Sequence, residues 1–93
     1  MNGFIVEARL KDGDILYISN TSPITWANNR KEAKIFEAFR YAKHELEDNF
    51  ISLSATINNT NIGSIFTLEY INDIEVGREK FIWPLMQKFI QIS

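Results

Sequence analysis

Alternation of apolar and polar residues near the start of the chain predicts a β-hairpin. The apolar positions of its first strand are Phe4, Val6, Ala8 and Leu10. This spacing has the period of a half-buried strand. Asp12-Gly13 follows the strand and supplies the positive backbone angles of a two-residue hairpin turn.

The turn fixes the pairing of the two predicted strands. With a two-residue loop, Leu10 lies opposite Ile15, so that Ile15 and Tyr17 join the apolar positions of the first strand on one face. A slip by one residue would bury Glu7 and Arg9 instead. The sequence therefore predicts a strongly specified register.

The next periodic segment predicts a helix after a loop rich in turn formers. Asn29 is a suitable N-cap, with Glu32 three places later in a capping-box relation. Apolar residues then recur at helical spacing, at Ile35, Phe39, Ala42 and Leu46. Two interpretations stay open. The helix is continuous to about Asn49, or Lys34–Phe36 is an extended link between a one-turn helix and a longer helix that begins near Glu37.

The second half of the chain predicts two more strands and a second helix. Phe50–Ile57 and Gly63–Ile71 are rich in β-forming residues, and a polar loop separates them. Phe81–Ile92 favours a helix, with Pro84 in its first turn. The predicted fold is a single α+β domain over residues 1–93 in the order ββαββα. Its four-stranded, mainly antiparallel sheet carries two helices on one face.

Composition narrows the class of protein. The chain has 93 residues, of which 45% are apolar and 13% aromatic, enough for one core without metals or disulfides. Cysteine is absent, which excludes disulfides and thiolate zinc sites. No secretory signal is evident, and no apolar run approaches the roughly 20 residues of a membrane span. We therefore expect a cytoplasmic protein. A net charge of −2 gives no bulk attraction to nucleic acid or anionic membranes.

Reactive side chains are scarce. His44 is the only histidine, and with Asp48 one turn later it offers two metal ligands where zinc needs three or four. Glu69 and Asp73 could in principle act as an acid–base pair, which requires one of them to be desolvated. We expect neither a metal nor another cofactor, and no enzymatic activity. A carboxylate enzyme remains the least favoured alternative.

Three sets of residues are candidate binding surfaces. An acidic set could face a protein partner and comprises Glu45, Glu47, Asp48, Glu69, Asp73 and Glu75. The last predicted helix has more apolar surface than one core contact needs, so a partner or a second copy could bury Trp83, Met86 and Ile90. A basic set at the start of the first predicted helix could contact nucleic acid and comprises Trp26, Arg30, Lys31 and Lys34.

The segment Trp26–Phe36, WANNRKEAKIF, followed by Ala42, resembles a pattern in small accessory proteins of bacteriophages from Gram-positive hosts. Those proteins have a β-hairpin, a Trp, a polar turn, an Ala and a Phe three residues apart, and then a helix. Ala38 stands where a helix-capping Ser or Thr would be expected. The resemblance covers roughly residues 4 to 48. It implies an accessory protein that binds and blocks a host enzyme, defence nucleases included.

The leading expectation is a non-catalytic, phage-borne accessory protein that binds a host or phage protein and inhibits a host nucleic-acid enzyme. The first alternative is a weak nucleic-acid binder that uses the basic set, although three basic residues without a net positive field seldom suffice. The second is the carboxylate enzyme. A homodimer through the last predicted helix is also an open alternative.

Overall fold

The computed structural model describes residues 1–49 and 62–81, whose five strands form one antiparallel sheet in the order β3-β2-β1-β4-β5. The strands are β1 (Gly3–Leu10), β2 (Ile15–Thr21), β3 (Ile24–Ala27), β4 (Ile62–Ile71) and β5 (Ile74–Lys80). A 3-10 helix spans Arg30–Glu32, and one α-helix, α1, spans Phe39–Asp48. The central strand β1 pairs with β2 on one side and with β4 on the other.

The predicted four-stranded ββαββα fold with two helices is wrong. The described residues form a five-stranded antiparallel sheet with one α-helix. Both edge strands, β3 and β5, were absent from the prediction. β3 has only four residues inside a stretch rich in turn formers, and β5, with the sequence IEVGREK, lacks an alternating apolar face. Edge strands commonly carry charges and are held by main-chain pairing with one neighbour, so the hydrophobic pattern does not reveal them.

The predicted register of the first hairpin is also wrong. Arg9 pairs with Ile15 and Ala8 with Leu16, one residue away from the expected pairing. The cause is a three-residue loop. The Leu10 amide donates to the carbonyl of Asp14 (2.8 Å), and Gly13 takes a positive φ of 100° in the position that closes such loops. Leu16 and Ile18 therefore face α1, whereas Ile15 and Tyr17 lie on the opposite face.

The two faces of the sheet carry separate apolar clusters. The larger cluster lies on the α1 side, where Ala42 and Leu46 of the helix join Val6, Ala8, Ile18, Phe36, Ile62, Ile65 and Phe81. The smaller cluster lies on the opposite face and consists of Ile5, Leu68 and Tyr70, with Met1, Tyr17, Ala33 and Phe66 packed against it. Because both faces are covered over β1, Glu7 is buried as well, with 4% of its surface exposed.

The first predicted helix is interrupted, as the second of the two interpretations proposed. Asn29 does cap a helix, since its side chain accepts from the Lys31 amide at 3.0 Å, but that helix is the single 3-10 turn. An extended link follows. The Lys34 amide donates to the carbonyl of Ile18 (2.8 Å), and Phe36 forms a two-way backbone bridge with Phe4. The link thus brings the chain to the helix side of the sheet.

Close packing of this link against β1 explains why a glycine occupies position 3. Its φ of 140° lies in the region that favours glycine, and an added Cβ would come within 2.8 Å of the Phe36 carbonyl oxygen. A side chain at this position would therefore displace the backbone of the link.

Ala38 is the N-cap of α1 and makes no side-chain capping bond. Its extended conformation, with φ −142° and ψ 151°, suits a capping serine or threonine. Ala38→Ser is expected to raise the free energy of unfolding by about 0.5–2 kcal/mol, because the hydroxyl would accept from an unpaired amide of the first turn. Urea unfolding of the variant and the native chain measures the difference. Ala38→Val, which adds volume without an acceptor, is the control and should give no such gain.

Several predictions concern residues outside the described ranges. They are the strand at Phe50–Ile57, the helix from Phe81 to Ile92 beyond its first residue, and the apolar surface of Trp83, Met86 and Ile90. Phe81 itself is buried, and its amide donates to the carbonyl of Ile65 at 2.8 Å. The strand predicted at Gly63–Ile71 is present as β4.

Candidate functional site

The acidic residues of α1 lie in its last turn and are partly engaged within the helix. The His44 Nε2 and Asp48 Oδ2 atoms are 3.1 Å apart, and the Asn49 side chain donates to the Glu45 carboxylate at 3.3 Å. The turn contains no basic residue, and its acids oppose the helix dipole. Glu47 is exposed and has no ion pair within the described residues.

The other predicted acids do not form one surface. Glu69 pairs with Phe4 across the sheet and shares the helix side with it, whereas Glu75 pairs with Tyr70, whose side chain lies on the opposite face. Asp73 lies in the β4–β5 turn and binds the amino group of Met1. That contact lowers the pKa of Asp73. Glu69 and Glu75 therefore lie on opposite faces of the sheet, and Asp73 and Glu75 are paired within the chain, Asp73 with the Met1 amino group and Glu75 with Arg78.

The basic set does not lie at the start of α1, because the helix begins at Phe39. Trp26 is half-buried against the cluster on the helix side. The Lys34 ammonium lies 5.7 Å from the ring centre of Phe36, and Arg30 reaches the opposite face, over Tyr70. The expected anion site of Arg30, Lys31 and Lys34 at a long helix terminus is therefore absent from the described residues.

The sheet face opposite α1 holds a cluster that sequence analysis did not predict. At its centre, the buried Glu7 carboxylate accepts a 2.9 Å hydrogen bond from Arg9 Nε, and Arg78 Nη1 lies 3.9 Å from the same oxygen. Both guanidinium groups also lie over the ring of Phe66, at 5.5 and 5.4 Å from its centre. Glu7 pairs across the sheet with Phe66, which brings these groups together. The carboxylate and the ring thus hold two arginines in place.

A third arginine extends the cluster along β4. Arg30 Nη1 donates to the Tyr70 hydroxyl at 3.1 Å, and its guanidinium lies 5.0 Å from the centre of that ring. Tyr17 lies on the same face beside Glu7, and burial, followed by the charge of Glu7, raises the pKa of Tyr17. Lys80 is exposed opposite Phe66. We call this surface the arginine face; it comprises Glu7, Arg9, Tyr17, Arg30, Phe66, Tyr70, Glu75, Arg78 and Lys80.

Glu75 and Arg78 form the best-defined ion pair of the arginine face. Arg78 donates from Nη2 and Nε to the two carboxylate oxygens, at 2.9 and 3.0 Å. These bonds lower the pKa of Glu75. The two hydrogen bonds to Glu75 hold the Arg78 guanidinium on one side, and the Glu7 carboxylate attracts it on the other.

Glu75→Gln is expected to weaken the pH dependence of stability in acid. A carboxyl group with a lowered pKa stabilises the folded state above its ordinary pKa, about 4.3 for glutamate, and the contribution is lost as the pH falls through the lowered value. Urea unfolding between about pH 2 and pH 5 measures this slope. Glu79→Gln on the same strand is the control. A slope in Glu75→Gln equal to that of the native chain would contradict the ion pair.

No group of three or more potential metal ligands occurs within residues 1–49 and 62–81. The His44–Asp48 pair is largely exposed, with 73% and 60% of the two side chains accessible. In the same ranges, no helix has the length and apolar character to cross a membrane.

Comparison with known proteins gives no family. No family model matches the chain, and no match is found among curated proteins or solved structures.

Proposed function

We propose that this chain is a non-catalytic binding protein that docks on another protein through its arginine face. The observation that carries the proposal is the set of arginines fixed over aromatic rings on the sheet face away from α1. Tyrosine and arginine are enriched among the residues that dominate protein interfaces. A tethered guanidinium also loses less side-chain entropy on binding than a free one. Both properties support docking at this surface.

The resemblance to phage accessory proteins supports a narrower form of the proposal. In that form the chain acts in the cytoplasm of a bacterial host and inhibits a nucleic-acid enzyme, such as a defence nuclease. The acidic last turn of α1, with Glu45, Glu47 and Asp48, is a second candidate surface for the same partner. The two surfaces belong to different layers of the fold, so one experiment can separate them.

A nucleic-acid binder is a weaker proposal for the arginine face. Base stacking needs aromatic rings with open faces, whereas guanidinium groups already lie over the rings of Phe66 and Tyr70. The net charge of −2 also opposes a polyanion at long range.

A steric block tests the docking surface. Because the chain has no cysteine, a single cysteine can carry a bulky maleimide label at a chosen position. Lys80→Cys places the label on the arginine face, and Lys43→Cys places it on the exposed side of α1 with the same loss of charge. A third variant, Glu45→Lys/Glu47→Lys/Asp48→Lys, reverses the helix-end charges.

The labelled proteins are immobilised and exposed to host lysate, and the captured proteins are identified by mass spectrometry. We expect the native chain, the labelled Lys43→Cys variant and the charge-reversed helix variant to capture the same partner, and the labelled Lys80→Cys variant to lose it. Capture by labelled Lys80→Cys at the native level would rule out the arginine face. Loss in the charge-reversed variant alone would assign docking to α1.

A further inference from the structure

Charge pairing on the arginine face is incomplete. Arg9 is paired with Glu7, and Arg78 with Glu75. Arg30 forms no ion pair with a described residue, and its guanidinium donates to the Tyr70 hydroxyl. Asp73 also attracts Arg30, but the Asp73 carboxylate is already paired with the amino group of Met1. Lys80 also forms no ion pair with a described residue and is exposed. The face therefore carries positive charge that its own carboxylates do not balance, on a chain whose net charge is −2.

The two unbalanced cations are separated along the sheet. Arg30 lies over Tyr70, and Lys80 pairs with Phe66, four residues earlier in β4. Four residues of strand span about 13 Å. An extended peptide strand has the same rise per residue, so carboxylates on alternate residues of such a segment would reach both cations from one side. Arg9 and Arg78, which are already paired, lie over the ring of Phe66, beside the line from Arg30 to Lys80.

We infer that the partner presents an extended segment rich in aspartate and glutamate to Arg30 and Lys80. This inference rests on the proposed docking function and adds the chemistry of the partner. Carboxylates would supply the charge that the face lacks, and the planar guanidinium of Arg30 can bind a carboxylate through two parallel hydrogen bonds. The acidic remainder of the chain would repel the same segment, so charge would direct it to this face.

A designed acidic peptide tests the inference without knowledge of the partner. The probe is a fluorescein-labelled peptide of alternating glutamate and serine, followed by fluorescence anisotropy at low salt. A lysine–serine peptide and an oligothymidylate with the same number of negative charges are compared with it. The variant Arg30→Gln/Lys80→Gln removes the two unbalanced cations. Lys11→Gln/Lys43→Gln removes the same charge from a hairpin loop and from α1, outside the arginine face.

We expect the glutamate–serine peptide to bind saturably and the lysine–serine peptide not to bind. Arg30→Gln/Lys80→Gln should weaken the affinity for the peptide about tenfold. Each exposed ion pair raises an affinity by up to about fivefold, and the free-energy changes at two distant sites add. Lys11→Gln/Lys43→Gln should change the affinity by less than about twofold, the residual effect of net charge. Circular dichroism verifies that both variants are folded.

Three outcomes would overturn the inference: no saturable binding of the acidic peptide, equal weakening by both double variants, or tighter binding of the oligothymidylate. The last would assign the face to nucleic acid. The label experiment separates this failure from failure of the proposed function. A partner blocked by the Lys80→Cys label, together with an acidic peptide that does not bind, would keep the docking surface and reject an acidic partner.

Discussion

Ile18→Ala is expected to lower the free energy of unfolding by about 2–5 kcal/mol, the usual cost of removing a fully buried isoleucine side chain. Ile18 is 1% exposed and belongs to the cluster on the α1 side of the sheet. The substitution leaves a cavity between β2 and the rest of that cluster, and rigid strands do not collapse to fill it.

Ile15→Ala is the matched control, because it removes the same atoms from the same strand. Ile15 is 36% exposed and lies on the opposite face, so we expect a cost of less than about 1 kcal/mol. The register predicted from a two-residue turn reverses this order, since it buries Ile15 beside α1. Urea unfolding of both variants decides between the registers. A larger loss in Ile15→Ala than in Ile18→Ala would contradict the observed pairing of Arg9 with Ile15.

Glu7→Ala has the second largest expected effect. The side chain is 6% exposed, and its carboxylate accepts from Arg9 while lying near Arg78. Its removal deprives both guanidinium groups of a counter-charge and leaves space between Tyr17 and Phe66, which flank Glu7 across the sheet. We expect the free energy of unfolding to fall by about 1–3 kcal/mol, because hydrogen-bonded charges at buried sites are costly to disrupt. The arginines are partly exposed, and water limits the loss.

Glu79→Ala is the control for Glu7→Ala. Glu79 is an exposed glutamate of β5, and its removal should change the stability by no more than about 0.5 kcal/mol. Denaturant unfolding of the two variants at neutral pH measures the difference. Equal stabilities would show that the Glu7 carboxylate does not organise the arginine face.

Local patterns were sufficient for parts of the fold. Alternation predicted β1, a segment rich in β-forming residues predicted β4, and Asn29 was predicted as a cap. The hairpin register could not be derived, because Asp12-Gly13 fits both a two-residue and a three-residue loop. The loops differ in whether Gly13 alone or both residues take positive φ, and only Gly13 does so here. One residue of loop length then moved every side chain of β2 to the other face.

The break in the first predicted helix shows a second limit of local reasoning. Ile35 has helical spacing from Phe39, yet it lies in the extended link and is 49% exposed. What holds the link extended is its backbone pairing with β1 and β2, through Phe4 and Ile18. These partners are distant in sequence, and tertiary pairing overrode the local helical pattern.

The arginine face was beyond prediction for the same reason. Its arginines come from β1, the 3-10 helix and β5, and they meet only because β4 lies between β1 and β5. One signal was present in the sequence. Glu7 and Arg9 occupy alternate positions of the first strand, and the residues that flank them along the chain are apolar. The predicted half-buried strand leaves Glu7 and Arg9 on its unburied face. A buried carboxylate between two arginines requires the pairing of β1 with β4, which no local pattern specifies.

Chemical-shift mapping of the isotope-labelled chain with its purified partner locates the docking surface. If docking occurs on the arginine face, the largest amide and side-chain shifts will fall on Arg9, Arg30, Tyr70, Arg78 and Lys80. Signals from Lys43, His44 and Glu47 on the exposed side of α1 will stay in place. Shifts confined to α1, with the arginine side-chain signals unchanged, would contradict the account.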